Sequence, residues 1–476
     1  MITIIGDIGI FNSNPVLIGI KSLFDQKSQL ETQIITPNII YDRNRIARFN
    51  NFRQVSVWSV YDFFTGRMNV PERPFKPEDY QIPDGYQPEI APVVKKFHRK
   101  DGARIELETK YSGNISVVNF YDSDGKLSQR IFYDDGGYML SLEIPTDETG
   151  KNKNQTLFSP DGTKIFELEI LAYRISKIHY LPDDLFFEGL DDFCSWAFVR
   201  LLSEKLPEDK IFVAQDNFRK SLLYTTFNPE GVYLIADSLI SGAEDRDILL
   251  DHYEKVIFNV KSDREAVAEK FDGKTIAPLV WNNFSAPDEL TRDFSSAPQI
   301  YFYIGRESDG VKFEVLTNIF TDLLNSLPDL HLILHFVYPY DPPKIVDQLE
   351  ENLRARVTSL ARPFPYRMLE ETAKTDMYIY ISNPEAVPPL SLSYAIAGQI
   401  PILTLLGQPA IDTFVNTDNG RSVSYEQLST VIKRAFSLPE GYFELADDPK
   451  RVREYFSPES TLVRWQKIFM EQESKL

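Results

Sequence analysis

"NFYDSDGKLSQRIFYDDGGYMLSLEIP" spans 119–145 and carries two copies of one plan: an apolar start, four or so polar residues, then glycine. The plan occurs four times, in "FHRKDG" (97–102), "FYDSDG" (120–125), "FYDDGG" (132–137) and "LFSPDG" (157–162). Between the copies run "ARIELETKY", "ISVVNFY", "KLSQRIFY", "GYMLSLEIP" and "TKIFELEI", all strand-like in their apolar alternation. Asp-Gly and Gly-Gly between such runs signal hairpin turns, because glycine accepts positive φ. Residues 93–175 therefore read as an antiparallel β-meander. The Asp-x-Asp-Gly segments also suggest calcium. The bidentate Glu and the loop length of an EF-hand are missing, so tight turns are the preferred reading.

On either side the rhythm is that of alternating strands and helices. "MITII" (1–5) and "ETQIITP" (31–37) read as strands around the helix "NPVLIGIKSLFDQ" (14–26), and "QVSVWSVYDFF" (54–64) as a strand or strand-to-helix passage. After about 175 the helix "DDFCSWAFVRLLSEKL", the strand "KIFVAQD", the helix "NFRKSLLYTTF", the strands "GVYLIAD" and "KVIFNV", then "REAVAEKF" and "TIAPLV" continue the pattern. "WNNFSAPDELTRDFSSAPQ" (281–299) reads as a linker. Beyond it come the strands "IYFYIG", "LHLILHFV", "RVTSLA", "MYIYIS" and "PILTLL". Helices lie at 311–327, 342–354 and 365–375, with a closing helix at 461–473. Strands apolar on both faces suit a parallel sheet covered on both sides. The pattern predicts an α/β chain of two Rossmann-like doubly wound domains with the meander inserted in the first. The expected boundaries are 1–92 and 176–290 for the first domain, 93–175 for the meander, and 291–476 for the second domain with its C-terminal crossing helix. Two such domains form a cleft at the carboxyl ends of their sheets.

Composition narrows the function classes. The balance of 51 basic against 70 acidic residues, net −19, makes the chain a poor candidate for nucleic acid or an anionic membrane, which need a positive footprint. The single cysteine, Cys194, permits no internal disulfide and fits a reducing compartment. "MITIIGDIGIFNSN" reads as a first buried strand and not a signal peptide. No run approaches the ~18 apolar residues of a transmembrane segment. His98, His179, His252, His331 and His335 have no metal-ligand spacing. His331 and His335 share one strand face and read as core or edge residues. No metal, cofactor or nucleophilic triad is expected, and the Gly-x-x-Gly of "GDIGIFNSN" (6–14) is a weak signal.

Two stretches could hold a nucleotide-sugar. "GRESDGVK" (305–312) follows the first strand of the second domain and offers Arg306 and Lys312 to a diphosphate, with Glu307 and Asp309 beside them. "NPEAVPPLSLSYAIAGQIPIL" (383–403) offers Glu385 to paired hydroxyls and places Ser393 eight residues later. Pro388 and Pro389 remove two amides from that turn. The plainer alternative makes Arg306 and Lys312 solvated charges, and Glu385 a helix-start acid favoured by the dipole.

The order of parts resembles the glycosyltransferases of serine-rich-repeat adhesins in Gram-positive bacteria, which have the GT-B fold. It resembles more closely the first accessory secretory proteins (the Asp group) of the accessory Sec system. The segments that carry this are 35–64, 119–145 and "AIAGQIPILTLLGQPAIDTFVNTDNGRSV" (395–423). The opening strand departs from the pattern, which usually begins rich in aromatics. The resemblance implies a donor pocket with a second Glu eight positions after Glu385, where this chain has Ser393. It thus implies a GT-B-like chain without catalytic residues, whose substrate-binding positions Arg306, Lys312, Glu385 and Ser393 are the remains of a donor site. It further implies a cytoplasmic role, peripheral at the membrane through partners. Those partners would be other accessory secretory proteins, a SecA-type motor ATPase and a glycosylated serine-rich-repeat preprotein. The alternative is an active retaining glycosyltransferase, or its acceptor-binding partner subunit.

Overall fold

The computed structural model describes residues 2–6, 8, 15–27, 31–50, 52, 56–68, 70–89, 94–205, 210–214, 232–236, 253, 255–258, 275–276, 297–306, 310–361, 363, 365–382, 389–405, 411 and 414–473. The expected helices in "NFRKSLLYTTF" and "REAVAEKF" and nearly all of the expected linker lie outside them.

The first domain is built on a parallel sheet. Its strands are β1 (Ile2–Ile5), β2 (Thr32–Thr36) and β3 (Val57–Ser59), followed beyond the insertion by β14 (Lys210–Ala214), β15 (Val232–Ala236), β16 (Lys255–Phe258) and β17 (Thr275–Ile276). The order is β17-β16-β15-β14-β1-β2-β3, all parallel, with Ile4 opposite Ile34 and Phe212. Helix α1 (Pro15–Lys27) makes the crossover between β1 and β2, α2 (Arg43–Phe49) the next one, and the short α3 (Val60–Phe64) leaves β3 through a capping box of Ser59 and Asp62.

The insertion is a ten-stranded antiparallel sheet: β4 (Gln87–Glu89), β5 (Lys95–His98), β6 (Arg104–Thr109), β7 (Ile115–Tyr121), β8 (Leu127–Tyr133), β9 (Met139–Pro145), β10 (Lys153–Phe158), β11 (Lys164–Leu171), β12 (Arg174–Tyr180) and β13 (Leu185–Phe187). Each strand pairs with the next, as a meander requires. The sheet runs a little past 93–175 at both ends. β4, "QPE", has no apolar residue to announce it, and the short β13 resembles the approach to the following helix. The four glycines of the repeated plan, Gly102, Gly125, Gly137 and Gly162, all have positive φ. Each turn closes alike: Gly102 N donates to Arg99 O at 3.0 Å and Arg99 N to Ala103 O at 2.8 Å. That is a type I turn ending in a left-handed glycine, the common three-residue hairpin loop. The carboxylates that hinted at calcium serve these turns. Asp122 accepts from the amides of Asp124 and Lys126, and Asp161 accepts from Thr163.

The two halves of the meander are covered differently. Leu157, Phe166, Leu168, Ile178 and Phe187 share a core with Tyr61 of α3 and with Phe193, Ala197 and Phe198 of α4 (Leu190–Lys205). Ile105, Leu107, Ile115 and Val118 are roofed by Phe75, Tyr80, Ile82 and Tyr86 from the segment leading into the sheet. That segment is bound by its backbone: Arg73 N donates to Gly136 O at 2.7 Å and Ile115 N to Phe75 O at 2.8 Å.

The second domain has six parallel strands: β18 (Gln299–Ile304), β19 (His331–Phe336), β20 (Val357–Ala361), β21 (Met377–Ile381), β22 (Ile402–Leu405) and β23 (Gly420–Val423), in the order β20-β19-β18-β21-β22-β23. Its described helices are α5 (Phe313–Ser326), α6 (Pro342–Val346), α7 (Glu351–Arg354), α8 (Pro365–Ala373), α9 (Leu390–Ala397), α10 (Tyr425–Ser437), α11 (Pro439–Phe443), α12 (Pro449–Tyr455) and α13 (Pro458–Glu473). The helix expected over 342–354 is two, because the chain turns at 347–349 and Glu350 adopts an extended backbone between them. Alternate residues of each strand enter opposite cores. Ile300, Phe302 and Ile304 face α5 and α10, while Tyr301 and Tyr303 stack on Tyr378 and Tyr380 at 5.3 and 5.4 Å beside α9. His335 lies on this second face with its Nδ1 2.8 Å from the Tyr301 hydroxyl, and burial pushes its pKa down to about 3, so it is neutral. Helix α13 crosses back to the first domain and sets Trp465 edge-on to Phe24 of α1 at 5.9 Å.

The Gly137 turn meets the roof segment, and this distinguishes it from its siblings. A Cβ there would lie 1.9 Å from Arg73 O at φ +80°, whereas at Gly125, φ +78°, it would meet nothing within 4 Å. Gly125→Ala should cost about 1–2 kcal/mol, the left-handed penalty alone. Gly137→Ala should cost more than about 3 kcal/mol, because backbone must move as well. Urea unfolding of both variants checks this; equal costs would rule out the clash.

Candidate functional site

The carboxyl edge of the first sheet opens into a cavity of about 1340 Å³. One wall is the β2–α2 loop and α2, from Asn38 to Phe49. The opposite wall is the β6–β7 hairpin, with Lys110, Tyr111 and Ser112 at its tip, together with Phe132 and Asp135. Tyr366 of α8 reaches it from the second domain.

The floor is a set of charges held in place. Asp135 follows β8 and is nearly inaccessible, with 3% of its side chain exposed against 4% for Lys110. Lys110 Nζ donates to it at 2.8 Å and to Tyr41 O at 3.0 Å. The backbone amides of Arg43 and Asn44 donate to its second oxygen at 2.6 and 3.2 Å. One carboxylate thus binds the first turn of α2 to the meander. Asp42 caps the same helix by accepting from Arg45 N at 2.7 Å, and burial raises its pKa, with Asp135 beside it adding to the effect. Tyr41 lies against Phe132 at 4.4 Å, and its hydroxyl accepts from Gln155 at 2.9 Å.

Behind the floor is a second clamp. Arg67, at the end of α3, pairs with Asp134 and donates to Phe158 O and Met139 O. Asp62, one turn earlier, is fully enclosed. Burial pushes its pKa up to about 6, against the opposing pull of Arg43, Arg67 and the Ser59 amide.

Arg306, Lys312 and Ser393 lie on the second domain and do not line this cavity. Arg306 is exposed beyond β18, with its guanidinium 5.5 Å from the Tyr338 ring. Lys312 is exposed at the start of α5, with Nζ 5.8 Å from the Tyr425 ring. Glu385 lies outside the described residues. Ser393 is 4% exposed inside α9, and its hydroxyl donates to Leu390 O at 2.5 Å. Arg306 and α9 flank neighbouring strands, β18 and β21, where the order of the sheet reverses.

The cavity residues Tyr41, Asp42, Arg45, Arg48, Lys110, Tyr111 and Asp135 were not singled out in the sequence. Two signals were there. "YDRNRIARF" (41–49) places three arginines in seven residues of an acidic chain, and "KYSG" (110–113) is a fifth glycine turn, with Gly113 at φ +84°.

No family model matches the chain, and no curated protein matches it in sequence. Solved structures match it along its length. The accessory secretory protein 1, 2 and 3 structure from Streptococcus pneumoniae contains a chain with TM-score 0.75 and 13% identity, covering 100% of both chains. The glycosylation-associated Gap123 complex of Streptococcus agalactiae contains one with TM-score 0.71 and 14% identity, covering 99% of both. The pneumococcal O-GlcNAc transferase GtfA, solved with UDP and GlcNAc, matches with TM-score 0.73 and 14% identity over 99% of both. The chain thus has the GT-B glycosyltransferase fold with an antiparallel sheet inserted, as its sequence predicts. Among the described residues no helix is long and apolar enough to cross a membrane.

The floor predicts an asymmetry. Asp135→Ala leaves Lys110 buried without its counter-charge and frees two helix amides, so it should cost about 3–5 kcal/mol. Lys110→Met leaves Asp135 with those amides and with Arg43 at 3.8 Å, so it should cost clearly less in thermal melts. Asp62 predicts a pH dependence. Its folded pKa, about 6, lies above the usual value of about 4, so its contribution is full below that value and is lost as pH rises through 6. Asp62→Asn, neutral throughout, should gain on wild type by on the order of 2 kcal/mol between pH 4 and 7; parallel stability curves would refute the shift.

Proposed function

We propose that this chain is a non-catalytic GT-B-like component of an accessory secretion assembly, binding glycosylated serine-rich polypeptide and aiding its export. The observation that carries this reading is Ser393. Where the donor pocket of a sugar transferase needs a carboxylate, this chain has a hydroxyl turned into its own helix and bonded to Leu390 O. The first turn of α9 holds no acidic residue, and its N-cap, Pro389, makes no side-chain cap. Hydroxyl recognition by carboxylate and diphosphate recognition by amides are both weakened there. The match to chains solved as complexes of accessory proteins supports a role among other accessory secretory proteins. The same reading adds a SecA-type motor ATPase as a partner and a cytoplasmic site of action.

A second reading, an active retaining transferase with Arg306 and Lys312 on the diphosphate and Glu385 on the sugar, draws on the comparable likeness to an enzyme solved with UDP and GlcNAc. Calorimetric titration with UDP-N-acetylglucosamine and UDP-glucose separates the two. The first reading expects no heat from either nucleotide-sugar, with wild type or with Ser393→Glu. Binding by wild type that disappears in Arg306→Ala would overturn it in favour of the transferase.

A further inference from the structure

The hairpin tips of the meander alternate between its two ends. The β6–β7 and β8–β9 tips reach the host domain, whereas the β5–β6, β7–β8, β9–β10 and β11–β12 tips lie at the far end, away from the cavity. Three of these four are polar and carry a glycine at positive φ: Gly102, Gly125 and Gly150. The fourth, "LAYR" (171–174), puts Ala172 at φ 48° and Tyr173 at φ 66°, a backbone that side chains rarely adopt. The neighbouring tip holds it there: Ala172 N donates to Asn152 Oδ1 at 2.9 Å and Tyr173 N to Lys151 O at 3.2 Å. The strained residue contributes little packing in return, because Tyr173 is 71% exposed. Strain that the surroundings enforce is typical of residues that act on something outside the fold.

Tyr173 does not stand alone. Leu171 is 44% exposed and Ile144 of β9 45%. The register sets Ile144 opposite Asn154 and Asn154 opposite Glu169, with Leu171 two residues further on, so Ile144 and Leu171 leave the same face of the sheet. The charges around this patch are uneven. Glu143 is taken by Lys153 at 2.7 Å, Glu148 by Lys126 at 2.7 Å and Glu169 by Lys177 at 3.7 Å, and Asp147 accepts from amides of its own turn. Lys151 and Arg174 are exposed and have no ion-pair partner among the described residues, in a chain of net charge −19. We propose that this corner of the meander is a docking surface for a protein partner with an acidic rim around an apolar pocket, which Tyr173 enters. A rigid aromatic flanked by cations is the composition of an interface anchor that faces acid. Two free cations are too few to hold an anionic membrane. An isologous contact with a second copy would set the same cations against each other. The inference goes beyond the proposed function and does not depend on it.

The test keeps the full chain. The photo-crosslinker p-benzoylphenylalanine replaces Tyr173 in the cells that make the protein, and replaces Ser123, in the polar β7–β8 tip, as the control. Light should join position 173, and not position 123, to one protein through a segment rich in Asp and Glu. That protein, purified, should bind the full chain, and bind Lys151→Glu and Arg174→Glu about tenfold more weakly. Tyr173→Gly should weaken binding about tenfold as well, while melting no lower than wild type, since glycine accepts positive φ. No adduct above the control, or an adduct to a second copy, to lipid or to a segment without acidic residues, overturns the proposal. So does a Tyr173→Gly chain that melts lower yet binds as wild type does, because the ring then serves the fold.

Discussion

Two consecutive carboxylates, Asp134 and Asp135, hold the insertion to the domain that carries it. Asp134 takes Arg67 from the end of α3, and Asp135 takes Lys110 from the meander and the leading amides of α2. Burying such charges is costly unless each one is matched, and here Asp135 accepts from Lys110 and from the amides of Arg43 and Asn44. The consequence is geometric. A ten-stranded sheet joined to its host through loops alone could swing. Bound at this corner, it keeps the β6–β7 hairpin at a fixed distance from α2, and the cavity between them is a property of the fold.

Much of this architecture was legible in the sequence because its signals are local. A glycine that must adopt positive φ leaves a mark that no tertiary context erases, and the repeated turns announced the meander before any pairing was known. Strands apolar on both faces announced the parallel sheets for the same reason. Helix α10 was equally local yet was passed over. Ser424 and Gln427 form a capping box ahead of Leu428, Ile432 and Ala435, all buried on one face. The split of 342–354 into two helices turns on a break at 347–350 that ends in the extended Glu350, which periodicity does not register.

The cavity was not legible, and the reason is separation. Asp135 meets Arg43 across 92 positions of sequence and Lys110 across 25, and no periodicity links them. The candidate donor residues were easier to name because they follow strand ends in order, which is where open α/β sheets place ligands. That logic points to the carboxyl edge of the second sheet, but it could not tell which way the Ser393 hydroxyl would turn.

The orientation of Ser393 has a cause in the packing around it. Every residue from Leu390 to Ile396 is buried, Ser391 is 2.9 Å from the Tyr378 hydroxyl, and that ring stacks on Tyr301. A glutamate at 393 would place a longer, charged group within this wall, where an uncompensated carboxylate stays protonated or forces the helix outward. The inward turn of Ser393 and the tight seating of α9 on the tyrosine pairs are therefore one structural fact, and a glutamate at 393 requires undoing the second.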